Sequence, residues 1–184
     1  MFKSLTDSWH CQCLMGGLLD AESADECSWL LTSFVESFGQ APQIIFSDEG
    51  AGIGCAIRQL KQDGAVLENT LHFLCVWHMS CRVRKNCKSV FRSNASGWNS
   101  FFSAFWQVAR DSEAGFGDTD AKFAEDMARL RQMIDDTDGD DHKKITAFDH
   151  IEKLQLLGHQ WAACYTHGHC TYGARTTQRC EGNI

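Results

Sequence analysis

The stretch that most constrains this chain runs from Gln43 to His78. Ile44-Ile45-Phe46 is a short apolar run of strand length. Asp48-Glu49-Gly50 follows as a turn, and Ile53, Ala56, Ile57 and Leu60 then recur at helical spacing. A second apolar run, Thr70 to Cys75, leads into Val76-Trp77-His78. Strand, helix and strand in this order favour parallel strands covered by helices. In such sheets ligands are bound beyond the carboxyl ends of the strands. Asp48 falls at one such end and Cys75 at the next.

The same alternation extends outward. Leu14–Leu19 has the length of a strand. Ser23 with Glu26 makes a capping box for a helix that carries Trp29, Leu30, Phe34 and Phe38 on one face and stops at Gly39. Trp77 to Phe91 reads as a further helix. Residues 14–91 therefore give β-α-β-α-β-α. After the polar loop Ser93–Gly97 the pattern is helical: Trp98 to Ala109, Ala121 to Ile134 and Ile145 to Tyr165, each with an apolar stripe. The expected fold class is α/β, with an all-α block after the α/β core.

Charge and cysteine content narrow the function. The net charge is −7, but residues 79–92 carry five basic groups and no acid, while residues 111–141 hold eleven of the 24 acids. Arg84, Lys88 and Arg92 are four apart and share a helix face; with Arg82 and Lys85 they form either a phosphate-binding stripe or an ordinary charged outer face. No apolar run reaches the roughly 18–20 residues that span a bilayer, so no membrane partner is expected. The N-terminal residues have no continuous apolar core with a cleavage site, so the expectation is an intracellular chain whose ten cysteines are reduced.

Several residues have two chemical readings. Asp48 can hold Mg²⁺ or Mn²⁺, or can cap the helix that follows it. Cys75 and His78 can face one side of a strand-helix junction, but two ligands do not make a zinc site, and packing is the simpler account. Cys164, His167, His169 and Cys170 are crowded, with no paired Cys-x-x-Cys elsewhere; His10, Cys11 and Cys13 could in principle complete a site, but the spacing is poor and zinc is not expected. Asp135 to Asp141 does not fit a calcium loop: with Gly139 at the sixth position, the first and twelfth would be Ile134 and Ile145.

Three motifs in order resemble the Mutator-like element transposases, DDE enzymes with an RNase H-like core. Trp29-Leu30-Leu31 followed by Pro42-Gln43-Ile44-Ile45-Phe46-Ser47-Asp48 is similar to that family's second-acid strand. Cys75-Val76-Trp77-His78 matches its C-x-x-H motif. Thr176-Thr177-Gln178-Arg179-Cys180-Glu181-Gly182-Asn183 is similar to its T-T-x-R-x-E-x-x-N ending, with the Asn one place early. The resemblance covers residues 14–183. It implies a partial RNase H-like core over residues 1–94, an α-helical insertion over 95–172, and the start of the last catalytic helix over 173–184.

The resemblance further implies that Asp48 and Glu181 are catalytic acids and metal ligands for Mg²⁺ or Mn²⁺, that Cys75 and His78 support the motif, and that Arg82, Arg84, Lys85, Lys88 and Arg92 contact DNA. Transposon-end DNA is the implied partner, with a homo-oligomer as the working form and the nucleus as the location. The family's Asp-Gly-Thr-Tyr-like first-acid strand has no counterpart, since neither Asp7, Asp20 nor Glu22 occupies that position. Two functions follow as expectations: a truncated, metal-dependent DNA strand-transfer enzyme, or a non-catalytic, domesticated DNA-binding or regulatory protein.

Overall fold

The computed structural model describes residues 2–5, 11–15, 17–62, 66–92, 94–110 and 119–169, the first two segments by backbone alone. Among the described residues helix dominates, and the strands form two separate pairs. The chain divides into two compact units, with the division between Trp77 and His78.

In the first unit, β1 (Phe2–Leu5) and β2 (Cys11–Met15) are antiparallel, with Leu5 opposite Cys11 and an irregularity between Phe2 and Lys3. The strand expected over Leu14–Leu19 therefore lies earlier, and it pairs with β1 rather than joining a parallel sheet. Gly16 and Gly17 explain the shift, because glycine weakens a strand by backbone entropy and offers no side chain to pack. Beyond them Leu18 is fully exposed.

Helix α1 (Ala24–Phe38) begins and ends where its sequence directs. Ser23 Oγ accepts the Glu26 N–H at 3.3 Å, and Gly39 closes the helix in the left-handed region. The box is a variant, because the Glu26 carboxylate accepts the Ala21 N–H at 2.8 Å instead of the cap residue's own N–H. The buried face is Cys27, Leu30, Leu31 and Phe34. Trp29 and Phe38, expected on that face, are 58% and 45% exposed. For Trp29 the reason is angular, since the 27/30/31/34 set follows the i, i+3, i+4, i+7 pattern and Trp29 lies off it. Phe38 is in phase, stacked on Phe34 at 4.6 Å, but is the last residue of the helix.

Strand β3 (Ile44–Ser47) is parallel to β4 (Leu71–Leu74), with Ile44 opposite Leu71 and Ser47 opposite Leu74. The expected β-α-β arrangement is present here, with α2 (Ala51–Gln62) as the crossover helix. Cys27 and Leu31 of α1, Ala56 and Ile57 of α2, and Leu67 form one apolar cluster, and Ile45 of β3 packs against it. β3 is only half-buried up to Phe46.

Gly52 sets how closely α2 approaches the chain before α1. A Cβ there would stand 1.9 Å from the Glu22 carbonyl oxygen, a backbone atom that cannot rotate aside. Only glycine permits this approach.

The second unit is helical. It contains the body of α3 (Val76–Cys87), a 3-10 turn at Lys88–Phe91, α4 (Ala95–Arg110), α5 (Thr119–Asp135), α6 (Asp141–Leu156), a second 3-10 turn at Gly158–Gln160 and α7 (Ala163–Thr166). Helix α4 starts three residues before Trp98 because Asn94 caps it: Asn94 Oδ1 accepts the Gly97 N–H at 2.8 Å. Asp140 caps α6 by accepting the His142 N–H at 3.0 Å, which gives the acidic loop a structural task.

The segment expected as one helix from Ile145 to Tyr165 is broken at Leu157. Gly158 lies against the Phe123 ring, where a Cβ would come within 2.5 Å. The break lets Trp161 fold back: its indole N–H donates to the Leu154 carbonyl at 2.9 Å and its ring stacks on Phe105. Trp161, Phe101, Phe105, Met127, Leu130 and Ile151 are fully buried. At ~1.5–3 kcal/mol per large apolar side chain, this cluster dominates the unit's stability.

Candidate functional site

The parallel register carries two of the motif residues to one end of the first unit. Ser47 is opposite Leu74, so Asp48 and Cys75 are the residues that follow at the carboxyl ends of neighbouring strands. The Cys75 N–H donates to the Ser47 carbonyl at 2.7 Å and extends the ladder by one step. Asp48 is exposed, whereas Cys75 is fully buried.

Asp48 does not cap α2. Its Oδ1 accepts the Gly50 N–H at 3.1 Å, two residues on, which forms the tight turn between β3 and α2. Its other carboxylate oxygen has no protein hydrogen bond among the described residues.

Beneath Asp48 lies a polar pair that the sequence reading missed. Ser47 Oγ donates to the Asp48 carbonyl at 2.7 Å and lies 2.8 Å from His72 Nε2. A hydroxyl has one proton, so with that proton on the carbonyl, His72 donates Nε2–H to Ser47. The link ties the backbone of Asp48 across to β4. Burial, with Lys61 and Arg58 nearby, lowers the His72 pKa to about 4, so the ring is neutral at pH 7. The available signal was His72 itself, one polar residue within Leu71-His72-Phe73-Leu74.

Other carboxylates share this region. The Cys27 thiol pKa is raised by burial first, then by Glu22, Glu26 and Asp48. Glu26 is committed to the start of α1. Among the described residues no group of three or more His, Cys, Asp or Glu side chains converges as a metal site. Glu181 and the whole Thr176–Asn183 motif lie outside the described residues, as do His10 and Cys170. Asp48 alone does not make a two-metal centre, which needs several bridging carboxylates.

His78 is half-buried on the first turn of α3. The Cys75–His78 motif thus straddles the division between the two units.

No protein-family model, curated protein or solved structure matches this chain.

In the second unit the basic residues are all on the solvent side. Met79, Val83 and Cys87 of α3 are buried, and Arg82, Arg84, Lys85, Lys88 and Arg92 are exposed. Arg84, Lys85, Lys88 and Arg92 form no ion pair among the described residues. Arg82 lies near His150, whose pKa is lowered to about 4 by burial first and then by Lys153 and Arg82. At the far end, Cys164 and the exposed His167 are close in sequence, but His167 Nδ1 lies 3.1 Å from its own helix's Ala163 carbonyl. No helix among the described residues is long and apolar enough to cross a membrane.

Proposed function

We propose that this chain derives from a DDE-type DNA transposase of the Mutator-like group, with residues 1–94 as part of an RNase H-like core and residues 95–172 as a helical insertion. The observation that carries the reading is the β3–β4 pair: parallel strands whose carboxyl ends bear Asp48 and Cys75, in the order the resemblance requires. Asp48, with Glu181, would hold Mg²⁺ or Mn²⁺ for strand cleavage and transfer at transposon ends, in a nuclear homo-oligomer. The test is a thermal melt with and without Mn²⁺. Mn²⁺ is expected to raise the melting temperature of the wild type, and Asp48→Ala is expected to abolish the rise. A wild type unmoved by Mn²⁺ overturns the metal site.

A second reading is favoured by one specific observation. Arg84 and Lys85 of α3, and Lys88 directly after it, are exposed and form no ion pair among the described residues. On this reading the chain is a non-catalytic, transposase-derived DNA-binding or regulatory protein. Above about 0.1 M salt, replacing Arg84 and Lys88 with Gln is expected to reduce the salt slope of DNA binding by about 2, if each neutralises one phosphate. An unchanged slope shows that the stripe is merely solvated.

A further inference from the structure

The basic stripe on α3 is bordered by aromatic rings of α4. Phe102 and Trp106 are one turn apart on α4, and both are only half-buried. Their centroids are 6.1 Å apart, and Phe102 stacks at 5.0 Å on the buried Trp98. Each ring carries its own cation: the Arg84 guanidinium lies 5.3 Å from the Phe102 centroid, and the Arg110 guanidinium lies 4.1 Å from that of Trp106. Residues 76–110 contain six Lys or Arg and no Asp or Glu, in a chain of net charge −7. No acid of this segment competes for those guanidinium groups.

Rows of ring and cation have a particular chemistry. Bases stack on aromatic faces and on guanidinium planes, while the cations hold the adjoining phosphates. A duplex hides its base faces and needs only the cations. A surface that offers both suits a strand whose bases are unpaired. We propose that the α3–α4 face of the helical unit binds single-stranded nucleic acid, with Phe102 and Trp106 as the stacking platform and Arg84, Lys88 and Arg110 on phosphates. The proposal extends the nucleic-acid reading above and does not depend on Asp48 or on any metal.

The experiment is fluorescence anisotropy on the full chain in EDTA, with labelled oligothymidine, oligouridine, a duplex of equal length, and heparin as a polyanion without bases. The wild type is expected to bind a single strand at least about tenfold more tightly than the duplex. Tighter oligothymidine identifies DNA as the preferred strand, and tighter oligouridine identifies RNA; either supports the platform. Trp106→Leu is expected to weaken single-strand binding roughly tenfold and to leave heparin binding within about twofold. Arg84→Gln is expected to weaken both.

If Trp106→Leu fails to fold, photo-crosslinking the wild type to bromouracil-containing strands supplies the reading, with adducts expected on α4. Equal affinity for duplex and single strand, unaltered binding by folded Trp106→Leu, or adducts confined to other elements would each overturn the proposal. Because EDTA is present throughout, failure here leaves the Mn²⁺ test of the acidic site untouched, and the reverse also holds.

Discussion

At the scale of single residues, backbone contacts matter as much as side chains. Gly52→Ala is expected to destabilise the first unit by more than the ~1–3 kcal/mol usual for overpacking, because the new methyl would meet a carbonyl oxygen of the backbone. A urea melt checks this, and an unchanged midpoint would mean that α2 can retreat from Glu22. The buried His150 and the half-buried His72 give an acid response of known sign. His72 and His150 each have a folded pKa of about 4, below the ordinary value of 6.5. The unfolded chain therefore binds protons first, and the stability these histidines contribute is complete above pH 6.5 and lost as pH falls towards 4. The loss is on the order of 2–3 kcal/mol per histidine.

His150→Leu is expected to flatten part of that slope. It should cost little at pH 7, since His150 Nε2 is buried with no hydrogen bond among the described residues. Stability curves at pH 7 and pH 4.5 test both statements. The thiols differ as well: burial pushes the Cys87 pKa up to about 12, while Cys81 is exposed. Alkylation followed by peptide mapping is expected to label Cys81 fast and Cys87 only on unfolding; equal rates would refute the burial of Cys87.

At the scale of elements, caps decide where helices begin. Ser23 and Gly39 were legible in the sequence because their residue types match their tasks and an apolar stripe lies between them. Asn94 was not, since it sits in a polar run that reads equally well as a loop. Asn94→Ala is expected to destabilise α4 by about 1 kcal/mol, the usual worth of such a cap, measurable as a lower urea midpoint. The stripes Phe123/Met127/Leu130/Ile134 and Ala56/Ile57 were read correctly because period alone fixes an inward face. Period cannot see tertiary crowding, however. The break at Gly158 depends on Phe123, a residue 35 positions away, and the exposure of Trp29 depends on which angle of α1 the other elements cover. β2 was misplaced because hydrophobicity alone does not set where a strand ends: it stops at Met15, ahead of a glycine pair in the sequence.

At the scale of the whole molecule, order along the chain carried most of the information. The parallel β3–β4 pair, its crossover helix and the helical block were all readable from alternation and period, and they bring Asp48 and Cys75 to adjacent strand ends. The Ser47–His72 link and the Arg84–Phe102 contact were not readable, because each joins residues from different elements, whereas Trp106 and Arg110 are four apart on α4. Charge is the remaining whole-molecule property. The acid-free segment from α3 to α4 sits in a protein whose net charge is −7, so a polyanion meets two opposing fields. At roughly 0.01 M salt, where screening extends over ~30 Å, the approaching strand senses the net negative charge and is held off. Near 0.1 M the reach falls to ~10 Å and only the cationic face is felt. Association should therefore be fastest at intermediate ionic strength, with a maximum in the on-rate where a uniformly basic protein would give a steady decline.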